Sequence, residues 1–341
     1  MLQKLTILLL CTCGLLLLQQ CRKQVEFTGG TPLVMNAPGF PEPVQFRNGG
    51  LIAERVELGR RLFYDGRLSA DGSISCASCH QQIAAFGTYD HDLSHGLHGQ
   101  HSNRNAPPLV NLLWATSFGW DGRYTSLEAM IEAHINSPVD MGSHTNHSTH
   151  ALESVPGYGP LFTAAYGSAQ VTKERLLNAL AQFCASMVSA GSRYDSVQQG
   201  LTRFTATEQA GYVLFQNNCS SCHKEPLFTD YSFRNTGLPM TVLADAGRVT
   251  VTGNRTDSLK FRVPTLRNLY YSFPFMHDGR FVAFSQVWEH YRQPAATSIA
   301  IDPVLRNGIL LNATQQQQLE AFLKTLSDRQ LVTNPQLGPA N

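Results

Sequence analysis

Cys76-Ala77-Ser78-Cys79-His80 and Cys219-Ser220-Ser221-Cys222-His223 repeat one pattern: two thiols three residues apart, with an imidazole directly after the second. On a helical turn, positions i and i+3 share a face and i+4 lies beside them. Both thiols can then add to the two vinyl groups of one haem while the histidine binds its iron from below. Two copies predict two covalent c-type haems, with Cys76, Cys79, Cys219 and Cys222 as attachment points and His80 and His223 as proximal iron ligands. Structural zinc and dithiol redox sites use the same cysteine spacing. A zinc site, however, brings its second ligand pair soon after the first, whereas here the motifs open at Cys76 and only again at Cys219. A redox dithiol does not need a histidine after its second cysteine.

Haem is joined to such thiols outside the bacterial cytoplasm, and the N-terminus supplies an export route. A short charged start at Met1–Lys4 leads into an apolar run, Leu5–Leu18, too short for a comfortable membrane span and suited to a signal peptide. Leu18-Gln19-Gln20-Cys21 follows, similar to a lipoprotein box but for its two glutamines, so residues 1–20 are expected to be removed and Cys21 lipidated, with an ordinary signal peptide as the alternative. A periplasmic, membrane-anchored protein follows. Of eight cysteines, Cys11 and Cys13 lie in the leader and four hold haem, which leaves Cys184 in an apolar helical pattern as a buried thiol and leaves no pair for a disulfide. Formal net charge is +1 over 341 residues, which argues against nucleic acid as a partner.

The elements that must carry these motifs also repeat. Gly59-Arg60-Arg61-Leu62-Phe63 and Gly211-Tyr212-Val213-Leu214-Phe215 each place Gly-x-x-Leu-Phe at the end of an amphipathic helix approaching a motif. An all-α protein is expected, with a Pro- and Gly-rich tether over 21–48 and two cytochrome c-like domains, 49–192 and 193–341, each with one haem. Further helices are predicted at Ser126–Ile135, Lys173–Ser189, Phe284–Tyr291 and Thr314–Leu326, with starts at Thr207-Glu208 and at a Thr314/Gln317 capping box. A short hairpin is expected within Val242–Pro264.

Longer stretches resemble the bacterial di-haem cytochrome c peroxidases: Leu62-Phe63-Tyr64-Asp65-Gly66-Arg67-Leu68-Ser69, Arg104-Asn105-Ala106-Pro107-Pro108-Leu109, Trp120-Asp121-Gly122-Arg123, Pro138-Val139-Asp140-Met141-Gly142, and Phe261-Arg262-Val263-Pro264-Thr265-Leu266-Arg267-Asn268 leading to Met276-His277-Asp278-Gly279. The resemblance spans roughly residues 50 to 330 and includes the MauG branch, whose founding enzyme matures a tryptophan-derived quinone. It implies an N-terminal haem that meets hydrogen peroxide and a C-terminal haem that takes electrons from a small c-type cytochrome or cupredoxin. O–O cleavage needs a proton moved between the two oxygens, so an acid/base group must face the first haem.

Several positions depart from the family pattern. The family's distal glutamate is Asp140 here, one methylene shorter; a glutamine ten residues upstream is Met130; and His134 replaces a proline, offering a second acid/base group. A helix-capping Asp140 and a solvent-facing His134 are the plain alternatives. His91, His95, His98 and His101 fill the loop from which the family draws a sixth ligand for the first haem, with His98 or His95 best placed. Twelve residues after Gly279, where the peroxidases have a methionine ligand for the second haem, stands Tyr291, the MauG-like choice; Met276 is the alternative ligand. An anionic phenolate would favour oxidised iron where methionine raises the potential. Trp120 matches a relay between the haems, and Asn105, Ser272 and Pro274 match a calcium site of amide and carbonyl oxygens. The reading is a peroxide-reducing di-haem enzyme. A MauG-like oxidase of a protein substrate and a non-catalytic electron carrier are the alternatives, and a homodimer is left open.

Overall fold

The structure, a computed structural model, describes residues 29–47, 49–89, 91–293 and 301–340, so the leader, Cys21 and the first part of the tether lie outside the described residues. It is mostly helical. In chain order the helices are α1 Ala53–Phe63, α2 Cys76–Cys79, α3 Leu127–Asn136, α4 Thr145–Glu153, α5 Tyr158–Tyr166, α6 Lys173–Ser186, α7 Arg193–Gln198, α8 Ala206–Asn218, α9 Val249–Thr252, α10 Phe284–Arg292, α11 Ala313–Lys324 and α12 Arg329–Thr333. Among the described residues strand is limited to two antiparallel pairs, β1 Pro32–Leu33 with β2 Leu51–Ile52 and β3 Phe233–Arg234 with β4 Phe261–Arg262. Among the described residues no helix is long and apolar enough to cross a membrane.

The Gly-x-x-Leu-Phe repeat proves to be a packing device. α1 buries Leu58, Gly59, Leu62 and Phe63 against α6, and α8 buries Gly211 and Phe215 against α11. A Cβ on Gly59 would lie 2.0 Å from the Ala179 carbonyl oxygen and 2.8 Å from the Phe183 Cβ; on Gly211 it would lie 1.9 Å from the Gln318 carbonyl oxygen and 2.9 Å from the Phe322 Cβ. Both glycines therefore let a helix pair approach backbone to backbone. Phe63 then meets Phe183 at 5.2 Å and Phe215 meets Phe322 at 5.1 Å between ring centroids. These contacts seed two separate apolar clusters, one around α1, α3 and α6 that includes Cys184, the other around Tyr194, Phe215, Phe228 and Phe322.

The C-terminal segment returns to the first cluster. Leu331 is buried there, the Gln82 side-chain amide donates to the carbonyls of Leu331 and Asn334, and the Arg60 guanidinium and Tyr64 hydroxyl donate to those of Gly338 and Leu337. Three local expectations need correction. The capping box of α8 starts at Thr205 with Glu208, and that of α11 at Asn312 with Gln315, each two residues earlier than expected. No hairpin forms within 242–264: Phe261-Arg262 pairs instead with Phe233-Arg234, because Arg104 draws Asp245 away into an ion pair (2.6 Å) and α9 occupies the segment between.

Candidate functional site

α2 places Cys76 and Cys79 on one helical face, and a Ser75/Ser78 capping box starts the turn. The His80 backbone N–H closes it on the Cys76 carbonyl at 2.9 Å. The ring is then oriented by one bond: His80 Nδ1 lies 2.8 Å from the Phe86 carbonyl oxygen. That carbonyl is acceptor only, so Nδ1 carries the proton and Nε2 keeps its lone pair for a metal. Burial holds the imidazole neutral, its pKa pulled down to about 4 despite that bond. The second motif has the same build. The His223 N–H bonds the Cys219 carbonyl at 3.0 Å, and its Nδ1 sits 3.2 Å from the Phe228 carbonyl oxygen and 3.1 Å from that of Pro264. Burial lowers this pKa too.

Phe86 and Phe228 were not evident from the motifs, yet they are what aims the two imidazoles. Both are fully buried with left-handed backbones, φ 61° and 54°, which turns the carbonyl back toward the histidine. A usable signal existed: comparing the two copies shows a phenylalanine six residues after His80 and five after His223.

The two sites differ in what surrounds their histidines. Near His80, the turn after α3 brings Asp140 Oδ2 to 3.0 Å from His134 Nδ1, and both groups act electrostatically on His80. Burial raises the Asp140 pKa, but the His134 bond and charge, with Ser137 and His80, outweigh it and hold the carboxyl below its ordinary range. Asp140 is thus ionised at neutral pH, while the His134 side chain is 53% exposed. Met130, the replaced glutamine, packs partly buried against the first apolar cluster.

The histidine loop is sewn to the same turn. The Leu97 N–H bonds the carbonyls of Val139 and Asp140 at 3.0 and 2.9 Å, and Gly96 lies where a Cβ would strike the Val139 carbonyl at 1.9 Å. Yet His91, His95, His98 and His101 are all exposed. The His95 ring meets His91 edge-on at 4.6 Å and His101 at a tilt at 4.3 Å, and its carbonyl approaches Cys79 Sγ at 3.9 Å. His98 has a left-handed backbone, φ 55°.

Cys219, Cys222 and His223 instead open on a cavity of about 220 Å³ that Trp120, Met276 and Tyr291 also border. Burial, then the charges of Cys219 and Cys222, raise the Tyr291 pKa, so its phenol faces the attachment thiols. Asn105, Ser272 and Pro274 also line this cavity. Trp120 Nε1 donates to the Asn105 carbonyl at 2.8 Å and its ring stands edge-on to His277 at 6.5 Å. From Asn105 the chain runs to Pro107, whose backbone acts on His80, so Trp120 stands on the second cavity's wall with one short segment between it and the first motif. Thiols on one face, a metal-ready Nε2 and an apolar cavity beside them fit a covalently held haem.

A family model described as di-haem cytochrome c peroxidase matches residues 53–203. The cytochrome c551 peroxidase of Nitrosomonas europaea is 34% identical over 295 residues, 85% of each chain. The methylamine utilization protein MauG of Methylorubrum extorquens is 33% identical over 293 residues, 84% of this chain and 82% of that one. Among solved structures, a MauG-like protein associated with microbial copper homeostasis superposes with a TM-score of 0.84 at 28% identity, covering 90% of this chain and 99% of its own. With two attachment motifs, two imidazoles aimed alike and this likeness over most of its length, the chain belongs to the di-haem cytochrome c peroxidase family, oxidoreductases acting on peroxide.

Proposed function

We propose that the protein reduces hydrogen peroxide to water with electrons from a small c-type cytochrome or cupredoxin, using two cytochrome c-like domains that each hold one haem. The observation that carries this reading is the His134–Asp140 pair standing within electrostatic reach of His80. A haem held by His80 supplies the iron that binds peroxide and passes it electrons. The chain's own part is proton handling. Asp140, ionised and hydrogen-bonded, accepts a proton from the inner peroxide oxygen and returns it to the outer one as the O–O bond breaks. His134, half in solvent, resupplies Asp140, so that H₂O₂, two electrons and two protons give two waters. His98 or His95, exposed in their loop, is the proposed resting ligand of the first haem, which leaves before peroxide enters.

His223 and Tyr291 are the proposed ligands of the second haem, with Met276 as the competing sixth ligand on the same cavity wall. Trp120 is the proposed relay between the two centres, and Asn105, Ser272 and Pro274 a calcium site joining the halves. Export to the periplasm on a lipid anchor at Cys21 completes the reading. Tyr291 also favours a second reading, a MauG-like enzyme that oxidises a protein substrate, since a phenolate steadies oxidised iron. Steady-state peroxide consumption with reduced cytochrome or cupredoxin tests the first reading. Rapid turnover is expected, and none with either donor while both haems are loaded rejects it. In Tyr291→Phe the low-spin spectrum of the second haem should change; an unaltered spectrum assigns the ligand to Met276.

A further inference from the structure

At β4 the cavity wall carries a guanidinium that no carboxylate among the described residues neutralises. Arg262 donates its backbone N–H to the Trp120 carbonyl at 2.7 Å and one guanidinium nitrogen to the Ser117 carbonyl at 2.9 Å. It has no carboxylate within ion-pair distance among the described residues, although burial works against its charge and only the Tyr231 phenol offsets this. The neighbouring Arg234 shows what a satisfied guanidinium looks like here, with Asp230 at 3.0 Å and Asp302 at 2.9 Å. Arg292, further along the rim, is exposed and paired with Glu289. Among the described residues no aspartate or glutamate lines the cavity, and its two imidazoles, His223 and His277, are both shifted toward the neutral form by burial.

Arg262 is only partly buried, yet a cation on an apolar wall without an anion is unfavourable, and arginine does not lose its proton to escape that cost. The missing anion must come with whatever fills the cavity. A haem brings two carboxylates, its propionates, and a planar guanidinium matches a carboxylate in paired hydrogen bonds.

We propose that Arg262 is the carboxylate anchor of the second haem, pairing with a propionate and, through its positive charge, raising that haem's reduction potential relative to a neutral side chain at the same place. Tyr291 and Arg262 then act in opposite senses on one centre, the phenolate favouring oxidised iron and the guanidinium reduced iron. This makes Arg262 a positioning and tuning residue, and it rests on the cavity being the second haem's seat.

The test is spectroelectrochemistry of the holoprotein, with the haem count checked by intact mass. In Arg262→Gln the midpoint potential of the second haem should fall while that of the first stays put, and Arg262→Lys should lie between Gln and the wild type. Resonance Raman spectra of the wild type and Arg262→Lys should differ in the propionate bending band, which keeps the proposal testable if the glutamine variant loads poorly. Two haems bound, with the same potentials and the same propionate band in all three proteins, overturn the role of Arg262. A wild-type mass with a single haem overturns instead the reading of the cavity.

Discussion

The two haem seats share one frame and differ in everything placed opposite it. The shared part is the helix packed through Gly59 or Gly211, the Cys-x-x-Cys-His turn, and a left-handed phenylalanine whose carbonyl orients the histidine. The first seat then faces an ionised carboxylate and a half-exposed imidazole. The second faces a cavity without carboxylates, bordered by a phenol, an indole and a guanidinium. On the proposed reading, the repeated frame grips the iron and the differing surroundings divide the work: proton chemistry needs a titratable pair with a route to solvent, whereas electron transfer gains from a wall that keeps the iron's ligands fixed.

Breaking the first seat should have the largest effect. Asp140→Asn keeps size and hydrogen bonding but cannot accept a proton, so peroxide turnover is expected to fall about 10²–10⁴-fold, the usual worth of a placed acid/base group. The spectrum and potential of the second haem should not move. A turnover within a few-fold of wild type in stopped-flow peroxide assays removes Asp140 from the mechanism and with it the functional half of the contrast.

Aromatic rings hold both frames, and the second has an added support. Phe86 meets Phe63 and Phe183 at 6.0 and 6.5 Å between centroids, Phe228 meets Tyr194 and Phe215 at 4.8 and 5.3 Å, and a fully buried Arg267 is added to the Phe228 loop. Arg267 pairs bidentately with Asp195 at 2.7 and 2.9 Å, donates to the Pro226 carbonyl at 2.8 Å and lies over the Phe228 ring. Arg267→Met leaves Asp195 buried and unpaired, a loss of about 3–5 kcal/mol in denaturant unfolding. Burial raises the Asp195 pKa but Arg267 outweighs it, so the folded value is depressed. The pair's contribution is then full above the unfolded carboxylate value near 4 and is lost as pH falls through the folded one. Acid should therefore loosen the second seat in the wild type but add little to the loss already present in Arg267→Met. Equal acid sensitivity in the two proteins contradicts this division of support.

A smaller effect probes what is shared. Gly59→Ala and Gly211→Ala each force a methyl against a carbonyl across a helix crossing, and overpacking of this kind costs about 1–3 kcal/mol. Similar losses in thermal unfolding are expected from both, since the two close approaches agree to 0.1 Å. A clear loss in one and none in the other shows that the repeat is sequence likeness without equivalent packing.

What was legible in the sequence follows the same line between local and distant causes. α3 was expected from Ser126 and starts at Leu127 behind a Ser126 cap, and α10 was expected at 284–291 and is found at Phe284–Arg292, because apolar spacing and caps are read within a turn or two. The helix start expected at Thr207 and the capping box expected at Thr314 both slipped by two residues: Thr205 has Glu208 as its N3 partner where Thr207 has Ala210, whereas Asn312 and Thr314 each have a glutamine there, so the local pattern does not separate them. The pairing of 233–234 with 261–262 and the meeting of His134 with Asp140 depend on how distant segments fold together, which no local pattern encodes. Arg262 stood in plain view within a family-like motif, but its lack of a carboxylate partner among the described residues shows only once the cavity wall is assembled.

The finest test asks whether the first seat's two groups act as one. Burial alone would push the Asp140 carboxyl up; the His134 hydrogen bond and charge are the first of the influences that bring it down again. His134→Ala removes both while leaving Asp140 able to accept a proton, so turnover at neutral pH should drop far less than in Asp140→Asn. The pH profile should change in a definite direction. In the wild type the acid limb lies low, because Asp140 stays ionised until pH falls through its depressed value. Without His134 the carboxyl protonates at higher pH, and the acid limb of kcat/KM for peroxide should move upward. The second haem's potential, measured over the same pH range, serves as the control that does not respond. An acid limb at the same pH in both proteins separates the two groups, leaving Asp140 to work alone and His134 as a surface residue beside it.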